Sequence, residues 1–148
     1  MNILITGGSG YLASNLTYYL SNRDFNIVVC SRKPIQHKFN KNNIFYKLIN
    51  WNSDTELQKI CEDIDIIIHT AGMNSKDCTN DPIGADLCNH INTKKISQIA
   101  SLSGVKKFIY LSTVHVYSSK LDGNIDEKTL TENSHPYALT HKYGETAV

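Results

Sequence analysis

A glycine-rich turn close to the N-terminus of this sequence leaves few folds open to it. The apolar run Ile3-Leu4-Ile5 predicts a strand buried on both faces, as in a parallel sheet. Gly7, Gly8 and Gly10 follow it, and a helical pattern begins near Gly10. Four residues are expected to share the apolar face of this helix: Leu12, Leu16, Tyr19 and Leu20. A strand, a glycine turn and a helix N-terminus in this order present backbone N–H groups to a pyrophosphate, although many such turns bind nothing.

Strand and helix patterns alternate along the rest of the chain, which predicts a parallel sheet in an α/β fold. The predicted strands cover residues 3–5, 26–30, 44–49, 65–69 and 107–112. Helices are predicted over about 54–63 and 86–103, and a surface loop over 35–43. The apolar face of the helix over 86–103 is expected to consist of Leu87, Ile91, Ile96, Ile99 and Ala100. Right-handed crossovers give the strand order 3-2-1-4-5, with a ligand crevice between the first and fourth strands.

The net charge and the cysteine pattern indicate which classes of partner and which cellular compartment to expect. The chain has 15 basic and 14 acidic residues, so its formal charge of +1 gives no electrostatic case for a nucleic-acid or membrane partner. No apolar run approaches the about 18 residues of a membrane helix, and the early first strand leaves no room for a signal peptide. Cys30, Cys61, Cys78 and Cys88 form no C-x-x-C pair, which favours small packing residues in a reducing compartment. We therefore expect a cytoplasmic protein of one domain.

The glycine turn also carries a family resemblance. The run Thr6–Ala13 has the spacing Gly7-x-x-Gly10-x-x-Ala13 and resembles the T-G-x-x-G-x-x-[GA] opening of the short-chain dehydrogenase/reductases. It looks most like their extended branch, the nucleotide-sugar epimerases, dehydratases and reductases. The resemblance implies a Rossmann-like, doubly wound domain that binds NAD or NADP. The cofactor-binding residues that it implies in this turn are Gly7, Ser9, Gly10, Tyr11 and Leu12.

The end of the second predicted strand indicates which dinucleotide is preferred. NAD-binding folds usually place Asp or Glu there, about 20 residues after the glycines, to accept from the ribose 2′-OH. This sequence has Ser31 at that position, followed by Arg32 and Lys33. A guanidinium and an ammonium suit a 2′-phosphate, which a carboxylate would repel. We therefore expect NADP, with NAD as the alternative; a solvated basic turn is the plain interpretation of the same residues.

Three further segments match the extended family in order. Asn50-Trp51 follows the third strand where the family has residues beside the adenine, and the Asn50 side chain can still accept from the adenine amino group. The turn His69-Thr70-Ala71-Gly72 resembles the family's H-x-A-[AG], in which Ala71 and Gly72 let the backbone approach the cofactor. His69 itself is expected to be a core histidine. Asn89 aligns with a helical asparagine that steadies the active site, with a solvated helix residue as the alternative.

The implied reaction chemistry lies further along the chain. The segment Tyr110–Ser118 resembles the family's S-[ST]-x-x-V-Y-G, in which Thr113 is the hydroxyl that bonds to the substrate oxygen. The segment His135–Glu145 resembles the catalytic P-Y-x-x-x-K segment, with Tyr137 as general acid/base during hydride transfer. A structural tyrosine at the start of a helix is the alternative for Tyr137.

The lysine of that segment is replaced by His141, four residues after Tyr137, while Lys142 points about 100° away on a helix. Glu145 still aligns with the family's glutamate, so the alignment has not slipped. A unit charge about 4 Å from the tyrosine is worth up to about 4 kcal/mol at an effective dielectric constant of about 20, close to about 3 pK units. A neutral histidine can replace the hydrogen bond but not that field. Catalysis would need a protonated His141 or a Lys142 that swings in; otherwise the site is slow.

The resemblance covers nearly all of this sequence but only the first half of a family member. It implies a sixth strand and a smaller nucleotide-sugar-binding domain beyond residue 148, so we expect residues 1–148 to be an incomplete cofactor-binding half with little activity alone. Three interpretations stay open. They are the cofactor half of a nucleotide-sugar enzyme, a dinucleotide-binding module without catalysis, and a subunit that pairs with another chain, including a second copy of itself.

Overall fold

Five strands form one parallel sheet. The structure is a computed structural model, and it describes residues 1–36, 39–117 and 123–148. The strands are β1 (Asn2–Thr6), β2 (Asn26–Ser31), β3 (Ile44–Leu48), β4 (Ile66–His69) and β5 (Lys107–Tyr110). Their order is β3-β2-β1-β4-β5, as predicted, and every neighbouring pair is parallel. The fold is therefore Rossmann-like α/β. Two predicted features, part of the 35–43 loop and the motif's last residue Ser118, lie outside the described residues.

The helices in the described chain are α1 (Tyr11–Leu20), α2 (Asp54–Cys61), α3 (Ser75–Asn80), α4 (Pro82–Ala85), α5 (Asn92–Leu102) and α6 (Pro136–Ala147). A π-helical segment, Asp86–Ile91, joins α4 to α5, and a 3₁₀ turn covers Val114–Val116. The chain divides into two compact units, Met1–Ala71 with Lys95–Leu111, and Gly72–Lys94 with Ser112–Val148. We refer to them as the sheet unit and the helical unit.

The sheet unit has a separate apolar core on each side of its sheet. Side chains on successive strand positions point to opposite faces, so Leu4 enters one core while Ile3 and Ile5 enter the other. The Leu4 side is covered by α2 and by the middle of α5, through Leu57 and Ile96. The Ile3 side is covered by α1. Burial of each large aliphatic side chain contributes about 1.5–3 kcal/mol, which explains why strands rich in Ile and Val form the centre of this sheet.

The apolar face predicted for α1 is partly wrong. Leu16 and Leu20 pack against the core, but Leu12 and Tyr19 are more than half exposed. Two other residues of α1 are buried in their place: Ala13 and Thr17. The hydroxyl of Thr17 donates to the Ala13 carbonyl oxygen at 2.7 Å, which satisfies its polarity inside the helix. A pattern that counts only apolar residues therefore assigns the wrong residues to the buried face of α1.

The predicted continuous helix over 86–103 is also wrong at its start, where the chain forms the π-helical segment. Its hydrogen bonds span one residue more than those of an α-helix, so the side-chain faces rotate relative to the α-helical pattern. Leu87 and Ile91, predicted on the apolar face, are exposed as a result. Asn89 is fully buried instead. Ile96, Ile99 and Ala100 are buried as predicted.

The four cysteines are free thiols, of which three are buried and Cys88 is partly buried, as expected for packing residues. Burial raises the pKa of the Cys30 thiol to about 12 and that of Cys61 to about 11, so neither is a reactive thiolate near neutral pH. None of the helices in the described ranges has the length and apolar character that crossing a bilayer requires.

Candidate cofactor-binding and active sites

The glycine turn of the sheet unit is so tight at Gly7 that it leaves no room there for a side chain. Gly7 has a φ of +72°, and a Cβ there would lie 2.8 Å from the backbone nitrogen of Ala71. The N–H of Gly8 donates to the Cys30 carbonyl oxygen, and that of Gly10 to the Gly7 carbonyl oxygen, each at 2.8 Å. The backbone of Ala71 therefore lies directly against this turn, while the predicted approach of Ala71 and Gly72 to the cofactor stays a prediction. The turn is a cradle that only glycine can form at residue 7.

The turn ends at the N-terminus of α1, where the first backbone N–H groups of a helix have no partner within the helix. Gly10 is the cap residue, and among the described side chains none caps this end. Ser9, Gly10, Tyr11 and Leu12 are all exposed there. Oriented N–H groups at an exposed helix start suit a phosphate group, so these residues fit the pyrophosphate of a dinucleotide.

Thr6 and His69 brace the turn from the ends of β1 and β4. The Thr6 hydroxyl oxygen accepts from the backbone N–H groups of Thr70 (3.2 Å) and Ala71 (3.3 Å). Its single proton is therefore directed to Nδ1 of His69 at 2.8 Å, which places the histidine proton on Nε2. His69 is fully buried, with its ring against Trp51 and the aromatic residues of β5. The prediction of a core histidine is confirmed.

Arg32 and Lys33 lie beside the glycine turn at one cleft of about 500 Å³ in the sheet unit. The residues that line this cleft are Gly8, Ser9, Ser14, Arg32, Lys33, Pro34, Ile35 and Gln36. Ser31 is buried, and its hydroxyl donates to the Lys33 carbonyl oxygen, so its proton is used within the chain. Both basic side chains are exposed, and among the described lining residues there is no carboxylate. The cleft thus places two exposed basic side chains next to the glycine turn.

Asn50 and Trp51, predicted beside the adenine, have structural partners in the sheet unit. Trp51 is half-buried against the core, and its carbonyl oxygen accepts from the Lys95 ammonium at 3.1 Å. The Asn50 side chain is exposed, and its carbonyl oxygen accepts from the Asn52 N–H at 3.1 Å. Their contact with adenine stays a prediction.

In the helical unit, Tyr137 and His141 share one face of α6, with ring centroids 4.6 Å apart. His141 is 6 % exposed, and this burial lowers its pKa from 6.5 to about 4. Burial thus favours the neutral form of His141 near pH 7 and counts against the hypothesis that it acts as a cation. Lys142 does not replace it, because its ammonium donates to the Thr131 carbonyl oxygen at 2.9 Å. The family's tyrosine–lysine pair is a tyrosine–neutral imidazole pair in this chain.

Thr113 is the N-terminal cap of the 3₁₀ turn, and its hydroxyl oxygen accepts from the His115 N–H at 3.2 Å. In this bond the hydroxyl oxygen acts as an acceptor, so the bond does not use the hydroxyl proton. The ring of His115 also lies near Tyr137, with centroids 5.9 Å apart. The sequence interpretation did not single out His115, because it stands at a variable position of the motif.

Asn89 is a brace inside the helical unit. Its side-chain oxygen accepts from the Met73 N–H at 2.7 Å, and its amide nitrogen donates to the Thr140 hydroxyl at 3.0 Å. A Cβ on Gly72 would approach the same Asn89 oxygen to 3.2 Å. The alternative of a solvated helix residue is wrong. Asn89 links the segment after Ala71 to the helix that carries Tyr137, and its amide is occupied by these bonds.

Comparisons with known proteins give matches along nearly the whole chain. A model described as the NAD dependent epimerase/dehydratase family matches residues 3–148. The chain is 31 % identical over 162 residues to the mouse dTDP-D-glucose 4,6-dehydratase, covering 99 % of this chain and 44 % of the relative. It is 29 % identical over 167 residues to the Yersinia enterocolitica UDP-glucose 4-epimerase, covering all of this chain and 46 % of that protein. The chain therefore spans about half the length of these relatives.

Among solved structures, the chain is similar to the Bacillus cereus UDP-glucuronic acid 4-epimerase in complex with UDP-glucuronic acid and NAD. The TM-score is 0.89 at 24 % identity, over 99 % of this chain and 51 % of that one. This similarity supports the fold.

Proposed function

The chain belongs to the NAD-dependent epimerase/dehydratase family, and from that membership we propose that it is the cofactor-binding half of an oxidoreductase-type enzyme acting on a nucleotide-sugar. The observation that carries the proposal is the Gly7 cradle, which leads into an exposed, uncapped helix start. The residues proposed to hold the pyrophosphate are Gly7, Ser9, Gly10, Tyr11 and Leu12. Asn50, Trp51, Ala71, Gly72 and Asn89 are proposed to shape or brace the rest of the cofactor site.

The cofactor supplies or accepts a hydride when it is bound. The chain's own part is proton transfer and orientation. Tyr137 is proposed to exchange a proton between its phenol and a sugar hydroxyl or carbonyl oxygen, and Thr113 to donate a hydrogen bond to that oxygen. His141 is proposed to orient the Tyr137 ring through their edge contact without contributing charge. Since a neutral neighbour stabilises a tyrosinate less than a lysine does, slow turnover is expected.

We also propose that NADP is preferred over NAD, because Arg32 and Lys33 meet the glycine turn in one cleft whose described lining lacks a carboxylate. Arg32→Asp is expected to weaken NADPH binding about 10–100-fold, since a hydrogen bond to a charged group is worth about 1.5–3 kcal/mol. NADH binding should change little or improve. Dissociation constants for both cofactors, measured by calorimetry, check this.

Arg23→Asp is the matched control, because it changes the same charge at an exposed site where the guanidinium lies over the Tyr19 ring. It should leave both constants unchanged. An equal loss of NADPH and NADH binding in Arg32→Asp would show that Arg32 is a surface charge only.

The proposed reaction is tested in a full-length version of the protein, because residues 1–148 alone are expected to have little activity. The trial substrates are dTDP-glucose and UDP-glucose. Tyr137→Phe is expected to lower kcat at least about 100-fold with NADPH binding intact, because it removes the proton-transferring hydroxyl. His141→Lys should raise kcat and move the pH–rate profile to lower pH, by up to about 3 units. Tyr143→Phe, on an exposed part of the same helix, is the control that should keep activity. Turnover retained in Tyr137→Phe removes the residue from this role.

A dinucleotide-binding module without catalysis is the second candidate function. The observation that favours it is the neutral His141 together with a Lys142 already engaged by Thr131. Tight NADPH binding by a full-length version of the protein, with no turnover of either nucleotide-sugar, would support this candidate. A homodimer or another paired subunit stays a prediction of the sequence.

A further inference from the structure

We propose that His135 is a positioning residue that fixes Tyr137 by linking the first turn of α6 to α3; the proposal rests on the proposed role of Tyr137. His135 immediately precedes α6 and is its N-terminal cap. The contacts that carry the inference all lie within the helical unit.

The hydrogen bonds of the His135 ring run in one consistent direction. Its Nδ1 accepts from the Tyr137 backbone N–H at 3.1 Å, so the ring proton of the neutral form is on Nε2. Nε2 lies 3.0 Å from the Thr79 hydroxyl oxygen and therefore donates to it. The Thr79 hydroxyl in turn donates to the Ser75 carbonyl oxygen at 3.0 Å, within α3. Each donor in this series of bonds donates one proton that it carries, and each acceptor accepts through a lone pair that it has.

The bond to Tyr137 acts on the first available donor of the helix. Pro136 occupies the first helical position and has no N–H, so the Tyr137 N–H is the first one that needs a partner outside the helix. By accepting from it, the His135 ring holds the backbone of the proposed acid/base residue directly. A shift of this first turn would displace the Tyr137 phenol with it.

Asn133 reinforces the arrangement from the preceding loop. Its side-chain oxygen accepts from the His135 backbone N–H at 3.0 Å. Its amide nitrogen donates to the His115 carbonyl oxygen at 2.8 Å, and the His115 ring lies edge-on to Tyr137. Tyr137 is thus held through its backbone by His135 and approached from the ring side by His115.

An ordinary helix cap makes no second link of this kind. Ser53 caps α2 by accepting from the Glu56 N–H, and Asn74 caps α3 by accepting from the Asp77 N–H. Both bonds stay within the segment that they cap. The imidazole of His135 has a second ring nitrogen and uses it to reach a different helix, which a serine or aspartate is too short to do.

Three variants separate positioning from capping. His135→Ala removes both bonds, His135→Asn keeps an acceptor for the cap, and Thr79→Val keeps the cap but removes the link to α3. The first readout is NMR of the ¹⁵N-labelled chain, in which the wild-type His135 ring should show a protonated Nε2 and an unprotonated Nδ1. The second is the ¹³C resonance of the Tyr137 ring, which should shift in His135→Ala and Thr79→Val. Ser53→Ala is the control, because it removes a cap in the sheet unit and should leave the Tyr137 signal unchanged.

Where a sugar substrate is turned over, His135→Ala should lower kcat about tenfold with KM unchanged, and His135→Asn should recover part of the loss. If His135→Ala and Thr79→Val lose stability but leave the Tyr137 signal in place, as expected for the control Ser53→Ala, His135 is a cap alone and the proposal is wrong. The opposite ring tautomer would also overturn it. Absence of turnover in a full-length version of the wild-type protein counts against the proposed function and leaves the NMR result to decide the role of His135.

Discussion

Gly7→Ala is expected to destabilise the fold by several kcal/mol and to remove dinucleotide binding. The residue has a φ of +72°, where an L-amino acid is strained by about 1–2 kcal/mol. The new Cβ would also lie 2.8 Å from the Ala71 backbone nitrogen, and overpacking of this kind costs about 1–3 kcal/mol more. Because the obstacle is backbone, the turn must open, and the N–H groups proposed to bind phosphate move with it. Urea unfolding and NADPH calorimetry measure the two effects.

Gly104→Ala is the matched control for this variant. Gly104 has nearly the same backbone angle, with a φ of +76°, but a Cβ there would meet nothing within 4 Å. It should lose only the strain, about 1–2 kcal/mol, and keep NADPH binding. Equal destabilisation by the two substitutions, or NADPH binding retained in Gly7→Ala, would contradict the cradle described for this turn.

Acid is expected to unfold the protein partly through His141. In the folded chain its pKa is about 4, below the ordinary value of 6.5, so the unfolded chain takes up the proton first as the pH falls. The stability that depends on a neutral His141 is therefore complete above pH 6.5 and is lost progressively between pH 6.5 and 4. This difference between the pKa values of the unfolded and folded chain corresponds to about 3 kcal/mol in the free energy of unfolding. Urea unfolding of the wild-type chain at pH 7 and pH 4.5 should show most of this loss.

His141→Gln removes the contribution, because glutamine does not titrate. The pKa of Asp65 is lowered, mainly by the hydrogen bond that it accepts from Lys106, so Asp65 also loses stabilisation in acid. Its effect is present in both proteins and cancels in their difference. If the wild-type and His141→Gln proteins lose the same free energy of unfolding between the two pH values, His141 is not held neutral by burial.

The sheet was predictable because its strands are short, nearly continuous apolar runs separated by glycine, proline and helical patterns. Ile27-Val28-Val29 and Ile66-Ile67-Ile68 can satisfy their burial only in a parallel sheet covered on both faces. The strand order then follows from right-handed crossovers. The Tyr137–His141 contact was also predictable, since residues four apart share a helix face.

The errors concern polar residues that the fold buries. Thr17, Asn89 and His141 are all buried, and the first two take hydrogen bonds that only the folded chain provides. A hydrophobic pattern reads such residues as surface, so it misplaces the inner face of α1 and misses the π-helical segment that turns Asn89 inward. The neutral state of His141 follows from burial, which the sequence does not reveal. The His135 cap did have a local signal, a polar residue directly before the Pro136 that begins α6.

The central claim is that the glycine turn and the start of α1 hold a dinucleotide. Titration of the ¹⁵N-labelled chain with NADPH, followed by backbone amide NMR, tests it most directly. We expect saturable shifts concentrated on Ser9, Gly10, Tyr11 and Leu12, with Arg32 among the next most affected. An NADPH titration that leaves these amides unmoved, or that shifts a different set of residues, would contradict the account.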